Sequence, residues 1–134
     1  MLVVEDNALN IKLFCDLLAA HGHEPLPITD SREALEAARG FSPDLVITDI
    51  QLPYVTGIEL MELLRADESL KSVPIMAVTA YSAAGDDERI RAAGAQAYVS
   101  KPISVMRFAE TVEQLLDAGR VREDEQVDPG SNPG

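Results

Sequence analysis

The chain has a single cysteine, Cys15, in 134 residues. No disulfide can form within it, which fits a reducing compartment. Cys15 stands in the apolar stretch IKLFCDLL, where the ordinary reading of a free thiol is a small buried hydrophobe rather than a nucleophile. Cationic side chains are scarce too: 11 Lys and Arg stand against 23 Asp and Glu, a formal net charge of −12. That balance argues against non-specific binding to nucleic acid or to anionic membranes, both of which need basic surfaces. No apolar run approaches the roughly 20 residues that span a bilayer. The opening MLVVEDN has no basic segment and meets an acid pair at once, unlike a secretion signal. The chain is therefore expected in the cytoplasm. Internal repeats and heptad seams are absent, and no second domain is expected.

What remains is an acidic chain with 46% hydrophobic residues, of a length that suits one domain around one core. Short apolar runs alternate with helical patterns. MLVVE, then EPLPI held to a sheet edge by its prolines, DLVIT, VPIMAVT and AQAYVS read as five strands. DLVIT and VPIMAVT are continuous apolar runs, as strands buried on both faces are. Between them lie helical patterns over Leu9 to Ala20, from Asp30 or Ser31 to Arg39 with Gly40 as its stop, over Ile58 to Leu64, and from Ser82 or Asp86 to Ala93 with Gly94 closing it. A last helix follows a Ser104 cap, with Val105, Phe108, Val112, Leu115 and Leu116 on one stripe. Five β-α units imply a parallel sheet covered on both faces, with right-handed crossovers. This unit is read over residues 1–117. From Ala118 the polar GRVREDEQVDPGSNPG has little to bury and reads as a disordered tail.

In an open α/β sheet, ligands bind beyond the carboxyl ends of the strands. The polar residues at those ends are Glu5 and Asp6, then Asp49, Thr79 and Lys101. Any one of them alone is most often a turn or cap residue; five in this order is another matter. Carboxylates packed together repel and acquire raised pKa values unless a cation intervenes. Mg²⁺ suits such a site, taking one or two carboxylates, waters and a phosphoryl oxygen. Asp49 beside it is a carboxylate nucleophile able to form an acyl phosphate. Lys101 offsets the charge of the transferring group. The Thr79 hydroxyl gains its best partner only when a phosphate is present, which makes it a sensor candidate.

At this point the sequence resembles the receiver domains of two-component response regulators. The stretches that carry the resemblance are LVVEDN, PDLVITDIQLPYVTG, VPIMAVTA and AYVSKP, together with the spacing from Asp49 to Thr79 to Lys101. The resemblance implies a flavodoxin-like sheet of order 2-1-3-4-5. It implies Asp49 as phosphoacceptor, Glu5 and Asp6 as the acidic pair that positions Mg²⁺, and the Gln51 backbone carbonyl as a further ligand. It also implies Lys101 as the phosphate-binding lysine, Thr79 as the switch hydroxyl and Tyr98 as the switch aromatic. For Tyr98 an ordinary half-buried strand tyrosine stands as the alternative. The Lys101–Pro102 bond is often cis in this family. VEDNALNIKLF, TDIQLP, GDDERIRAAG and SKPISV resemble single-domain members that serve cell-cycle or cell-fate signalling. The implied partners are a sensor histidine kinase or phosphotransfer protein and a downstream regulatory protein. Asn7, Asn10 and Tyr81 are the partner-facing candidates. Family members usually carry a few residues ahead of the first strand's core, whereas Met1 stands almost within it.

Three rivals stand beside this reading. An aspartyl phosphatase of the haloacid-dehalogenase type carries a second Asp two residues after its nucleophile, where this chain has Gln51. A flavin module wants a hydroxyl- and glycine-rich loop after the first strand, where EDNALN would repel phosphate. A degenerate receiver that only binds partners would not need the full set of five. The chain is thus expected to catalyse its own phosphorylation and slow dephosphorylation only, not the turnover of an external substrate.

Overall fold

The computed structural model describes residues 1–80 and 86–127, leaving aside the side chains of 86–87 and 118–127. Five strands form one parallel sheet: β1 (Leu2–Val4), β2 (Leu26–Ile28), β3 (Val46–Asp49), β4 (Ile75–Thr79) and β5 (Ala97–Ser100). Their order is β2-β1-β3-β4-β5, the doubly wound order expected. The proline-bearing β2 takes an edge, as Pro27 requires. The helices are α1 (Ala8–Ala20), α2 (Ala34–Phe41), α3 (Gly57–Ala66), α4 (Asp86–Ala93) and α5 (Val105–Val127).

Alternation along the central strands divides the core in two. Leu2, Val4, Val46, Ile75 and Ala77 face α2, α3 and α4, where Ala38, Leu60, Met61, Leu64 and Ile90 meet them. Val3, Ile47, Met76, Val78 and Val99 face the other way, onto Ile11, Phe14 and Leu18 of α1 and Phe108 and Val112 of α5. Phe14 and Phe108 stack with ring centroids 5.3 Å apart, which fastens α1 to α5. Cys15 is partly buried against this second layer. Continuous apolar runs in β3 and β4 follow directly from having helices on both faces.

Local signals set the element ends. The Asn7 side chain caps α1 by accepting from the Leu9 and Asn10 amides. Thr56 and Glu59 form a reciprocal capping box at α3. The second helix departs from expectation at both ends. Asp30 caps a 3₁₀ turn over Ser31–Glu33 before α2 begins, and Gly40 does not stop α2. The helix continues to Phe41 and ends where Ser42 turns left-handed, φ 51°, because the following Pro43 cannot continue a helix. Gly94, φ 128°, closes α4. The helix α5 runs past Ala118, where the sequence reads as a disordered tail: its backbone is helical to Val127. Arg, Glu and Gln tolerate helix well, and no proline interrupts the chain before Pro129.

Candidate functional site

Register aligns the polar strand ends. Val4 pairs with Thr48, so Glu5 and Asp49, each the next residue, stand side by side. Asp49 pairs with Val78 and Thr79 with Ser100, which sets Thr79 and Lys101 at the same edge. Glu5, Asp49 and Lys101 continue the alternation of Val3, Ile47 and Val99, so all three point to the α1/α5 side.

The contacts bear this out. Lys101 Nζ donates to Asp49 Oδ2 at 2.7 Å and to Glu5 Oε1 at 3.2 Å. The other Asp49 oxygen, Oδ1, accepts from the Gln51 amide at 3.0 Å. Glu5 Oε2 accepts from the Asn7 amide at 3.2 Å. Glu5 and Asp49 are buried, whereas Asp6 is exposed. Burial raises the Glu5 pKa; the Asn7 amide opposes it and the neighbouring Asp49 charge adds to it. Burial works against the Lys101 ammonium, but the bond to Asp49 and the two carboxylate charges outweigh it and hold its pKa up.

Glu5, Asp6 and Asp49 can each place a carboxylate oxygen within 4.8 Å of the others. Two oxygens on one octahedral Mg²⁺ lie at most about 4.2 Å apart. The cluster is of the size that a small hard ion bridges, directly or through its own waters. The donor set is all oxygen, which suits Mg²⁺ rather than a softer metal. Two buried carboxylates face a single lysine here, and that surplus of negative charge is what a divalent cation relieves.

The family described as the response regulator receiver domain matches residues 1–113. The chain belongs to that family. It is 51% identical over 116 residues to the polar-differentiation response regulator DivK of Brucella ovis, covering 87% of this chain and 94% of that relative. DivK of Brucella anthropi is 50% identical over the same shares. Among solved structures, a chemotaxis response regulator of Vibrio cholerae superposes with a TM-score of 0.81 at 26% identity, covering 85% of this chain and 95% of that one. The receiver domain of a sensor histidine kinase from Pseudomonas aeruginosa superposes with a TM-score of 0.80 at 28% identity over 87% and 95%. That structure has a magnesium ion coordinated in its active-site cleft.

The remaining candidates of this receiver domain divide by position. Thr79 is buried at the end of β4, and its carbonyl accepts from the Lys101 amide at 2.8 Å. Tyr98 is half-buried against the α3/α4 layer, with the Arg91 guanidinium 5.8 Å from its ring centroid. Ala77 pairs with Tyr98, so Thr79, two residues on, shares the Tyr98 face of the sheet. Asn7 is exposed, but its side chain is spent on capping α1; Asn10 is half-buried. Tyr81 lies outside the described residues. His21 ends α1, and His23 bonds Glu113 of α5 at 3.0 Å; neither is in the acidic cluster. The Lys101–Pro102 peptide is cis.

Two features of the site were not read from the sequence. Gly57 opens α3 directly against the backbone of Asp49: a Cβ there would stand 2.2 Å from the Asp49 carbonyl oxygen and 2.6 Å from Ile50 Cα. The signal for it was the glycine at a helix start, where a cap alone would not demand one. The second is Ser31, whose hydroxyl reaches across to Pro53 and Val55 of the loop after β3.

Proposed function

We propose that this receiver domain accepts a phosphoryl group on Asp49 in a Mg²⁺-dependent reaction and thereby changes the surface it offers to partner proteins. The observation that carries the reading is Lys101 Nζ held between two buried carboxylates, Asp49 and Glu5, at the mouth of the sheet with Asp6 beside them. Glu5, Asp6, Asp49 and the Gln51 carbonyl would hold the ion. Bound there, Mg²⁺ supplies charge neutralisation for the transferring phosphoryl group. An Asp49 oxygen attacks phosphorus, a P–O bond forms, and the P–N bond of a phosphohistidine donor breaks with its imidazole taking up a proton. Lys101 is already hydrogen-bonded to the nucleophile and turns to the incoming phosphoryl oxygens. The buried Thr79 hydroxyl then gains a phosphoryl partner, and the Tyr98 face it shares is the route by which β4, β5 and α4 respond.

The donor is a sensor histidine kinase or phosphotransfer protein, and the partner that reads the changed surface is a downstream regulatory protein. The name of the DivK relatives, polar-differentiation response regulators, supports a role in cell-cycle or cell-fate signalling; the location that goes with this reading is the cytoplasm. Among the described residues no helix is long and apolar enough to cross a membrane. The reaction is confined to the chain's own phosphorylation and slow dephosphorylation. Incubation with a phosphohistidine donor and Mg²⁺, then borohydride reduction, tests the assignment. An acyl phosphate on Asp49 is reduced to homoserine, seen as a mass change in the peptide containing residue 49. Reduction at another carboxylate, or at none, defeats the reading and leaves a partner-binding module.

A further inference from the structure

We propose that Ser31 is a positioning residue for the metal and phosphoryl site, acting through the loop between β3 and α3. The inference rests on the proposed function above. Ser31 lies in the 3₁₀ turn after β2, far from Asp49 in sequence, and is only 3% exposed. Its hydroxyl donates to the Pro53 carbonyl at 2.7 Å and accepts from the Val55 amide at 3.2 Å. One hydroxyl thus closes both sides of the residue between them, Tyr54. Tyr54 is a left-handed residue, φ 68°, a conformation that a bulky side chain adopts only when its surroundings impose it.

A second contact from the same turn imposes it from outside. The Arg32 guanidinium lies over the Tyr54 ring, 3.8 Å from the centroid. Asp30 holds that guanidinium by two bonds, to Nε at 3.0 Å and to Nη2 at 2.7 Å. Three consecutive residues, Asp30, Ser31 and Arg32, therefore grip one turn of the neighbouring loop. Two residues before Pro53 stands Gln51, whose amide fixes Asp49 Oδ1 and whose carbonyl is the proposed ligand. The brace sets where Gln51 sits, and through it the orientation of the acceptor carboxylate. A side chain that both donates and accepts is required; alanine would remove the one group that joins the Pro53 carbonyl to the Val55 amide.

The test is a Mg²⁺ titration of Ser31→Ala and wild type, followed by amide NMR shifts. Ser69→Ala is the control, since Ser69 bonds Asp67 beyond α3 and touches no part of the site. Ser31→Ala should weaken Mg²⁺ binding by roughly tenfold, the effect usual for residues that orient a metal ligand. Ser69→Ala should leave it unchanged. With acetyl phosphate, Ser31→Ala should need more Mg²⁺ but approach the wild-type rate of adduct formation at saturation. General loosening of the fold would not produce that split. Wild-type Mg²⁺ affinity in Ser31→Ala, or equal weakening in Ser69→Ala, overturns the brace alone. A wild-type chain whose Gln51 and Lys101 amides ignore Mg²⁺ overturns the brace and the proposed function together.

Discussion

Gly57→Ala is the substitution whose effect the geometry fixes most closely. A Cβ at 57 would meet three backbone atoms: the Asp49 oxygen at 2.2 Å, Ile50 Cα at 2.6 Å and the Asp49 carbonyl carbon at 3.0 Å. Backbone cannot swing aside as a flexible side chain can, so α3 or the end of β3 must retreat by about 1 Å to restore normal contact. The Gly57 amide donates to the Ile50 carbonyl at 2.9 Å, and that bond stretches with the retreat. Overpacking of this kind costs about 1–3 kcal/mol, against a gain of ~0.4–1 kcal/mol from stiffening the unfolded chain. The net expectation is a loss of about 1.3 kcal/mol, a fall of ~0.6 M in the urea midpoint. Gly40→Ala supplies the opposite sign: nothing lies within 4 Å of its Cβ position, so it should gain ~0.4–1 kcal/mol. The chain has no tryptophan, so urea unfolding would be followed by far-ultraviolet circular dichroism. Displacing Asp49 should also slow adduct formation with acetyl phosphate in Gly57→Ala alone. Equal midpoints for the two variants, or full reactivity in a destabilised Gly57→Ala, would refute the reasoning.

Other perturbations act on charge. Glu5 has a raised pKa through burial and the Asp49 charge, so the folded state holds its proton more readily than the unfolded chain does. Metal-free stability therefore falls as pH rises from the ordinary carboxylate range through the raised value. Glu5→Gln should flatten that slope and stabilise the metal-free protein at neutral pH while weakening Mg²⁺ binding, as urea midpoints across pH with EDTA and with Mg²⁺ would report. Lys101→Met strips two buried carboxylates of their cation. Because the lysine is itself 25% exposed, the metal-free protein should lose about 2 kcal/mol rather than the larger penalty of a fully buried pair. Mg²⁺ should then bind the variant more tightly than wild type in the same amide titration. Asp67 is held at a pKa of about 2 by the Ser69 hydroxyl and Arg39. Its stabilisation is present above the unfolded value of about 4 and is lost as pH falls towards 2. Asp67→Asn should therefore be less stable than wild type at pH 5, with the gap closing between pH 4 and 2 in urea titrations.

The parallel sheet and the site edge were legible because apolar runs and the acids that end them are local in sequence, whereas the strand order came from the resemblance to receiver domains. DLVIT is followed at once by Asp49, and VVE by Asp6, so alternation of strand and helix was enough to bring them together. Element ends were less legible, because they turn on single backbone conformations. Gly40 looked like a stop, yet Ser42 before Pro43 is the residue that turns left-handed. The continuation of α5 to Val127 reflects helix propensity in a polar stretch, which a burial argument undervalues. Least legible were contacts made across loops. Ser31 read as a possible cap, but Asp30 took that place and left the serine hydroxyl to bridge Pro53 and Val55, a pairing of residues that no local pattern announces. The same limit applies to Arg65 of α3, which donates to the Gly94, Lys71 and Val73 carbonyls and to Gln96, tying the two loops at the far end of the sheet.

The most direct test of the central claim is the intact mass of the chain after incubation with acetyl phosphate, with Mg²⁺, with EDTA, and as Asp49→Asn. One phosphoryl adduct that appears only with Mg²⁺ and only when Asp49 is present is the predicted result. A folded wild-type chain that takes up no phosphoryl group, or an Asp49→Asn chain that takes it up as readily, would contradict the account.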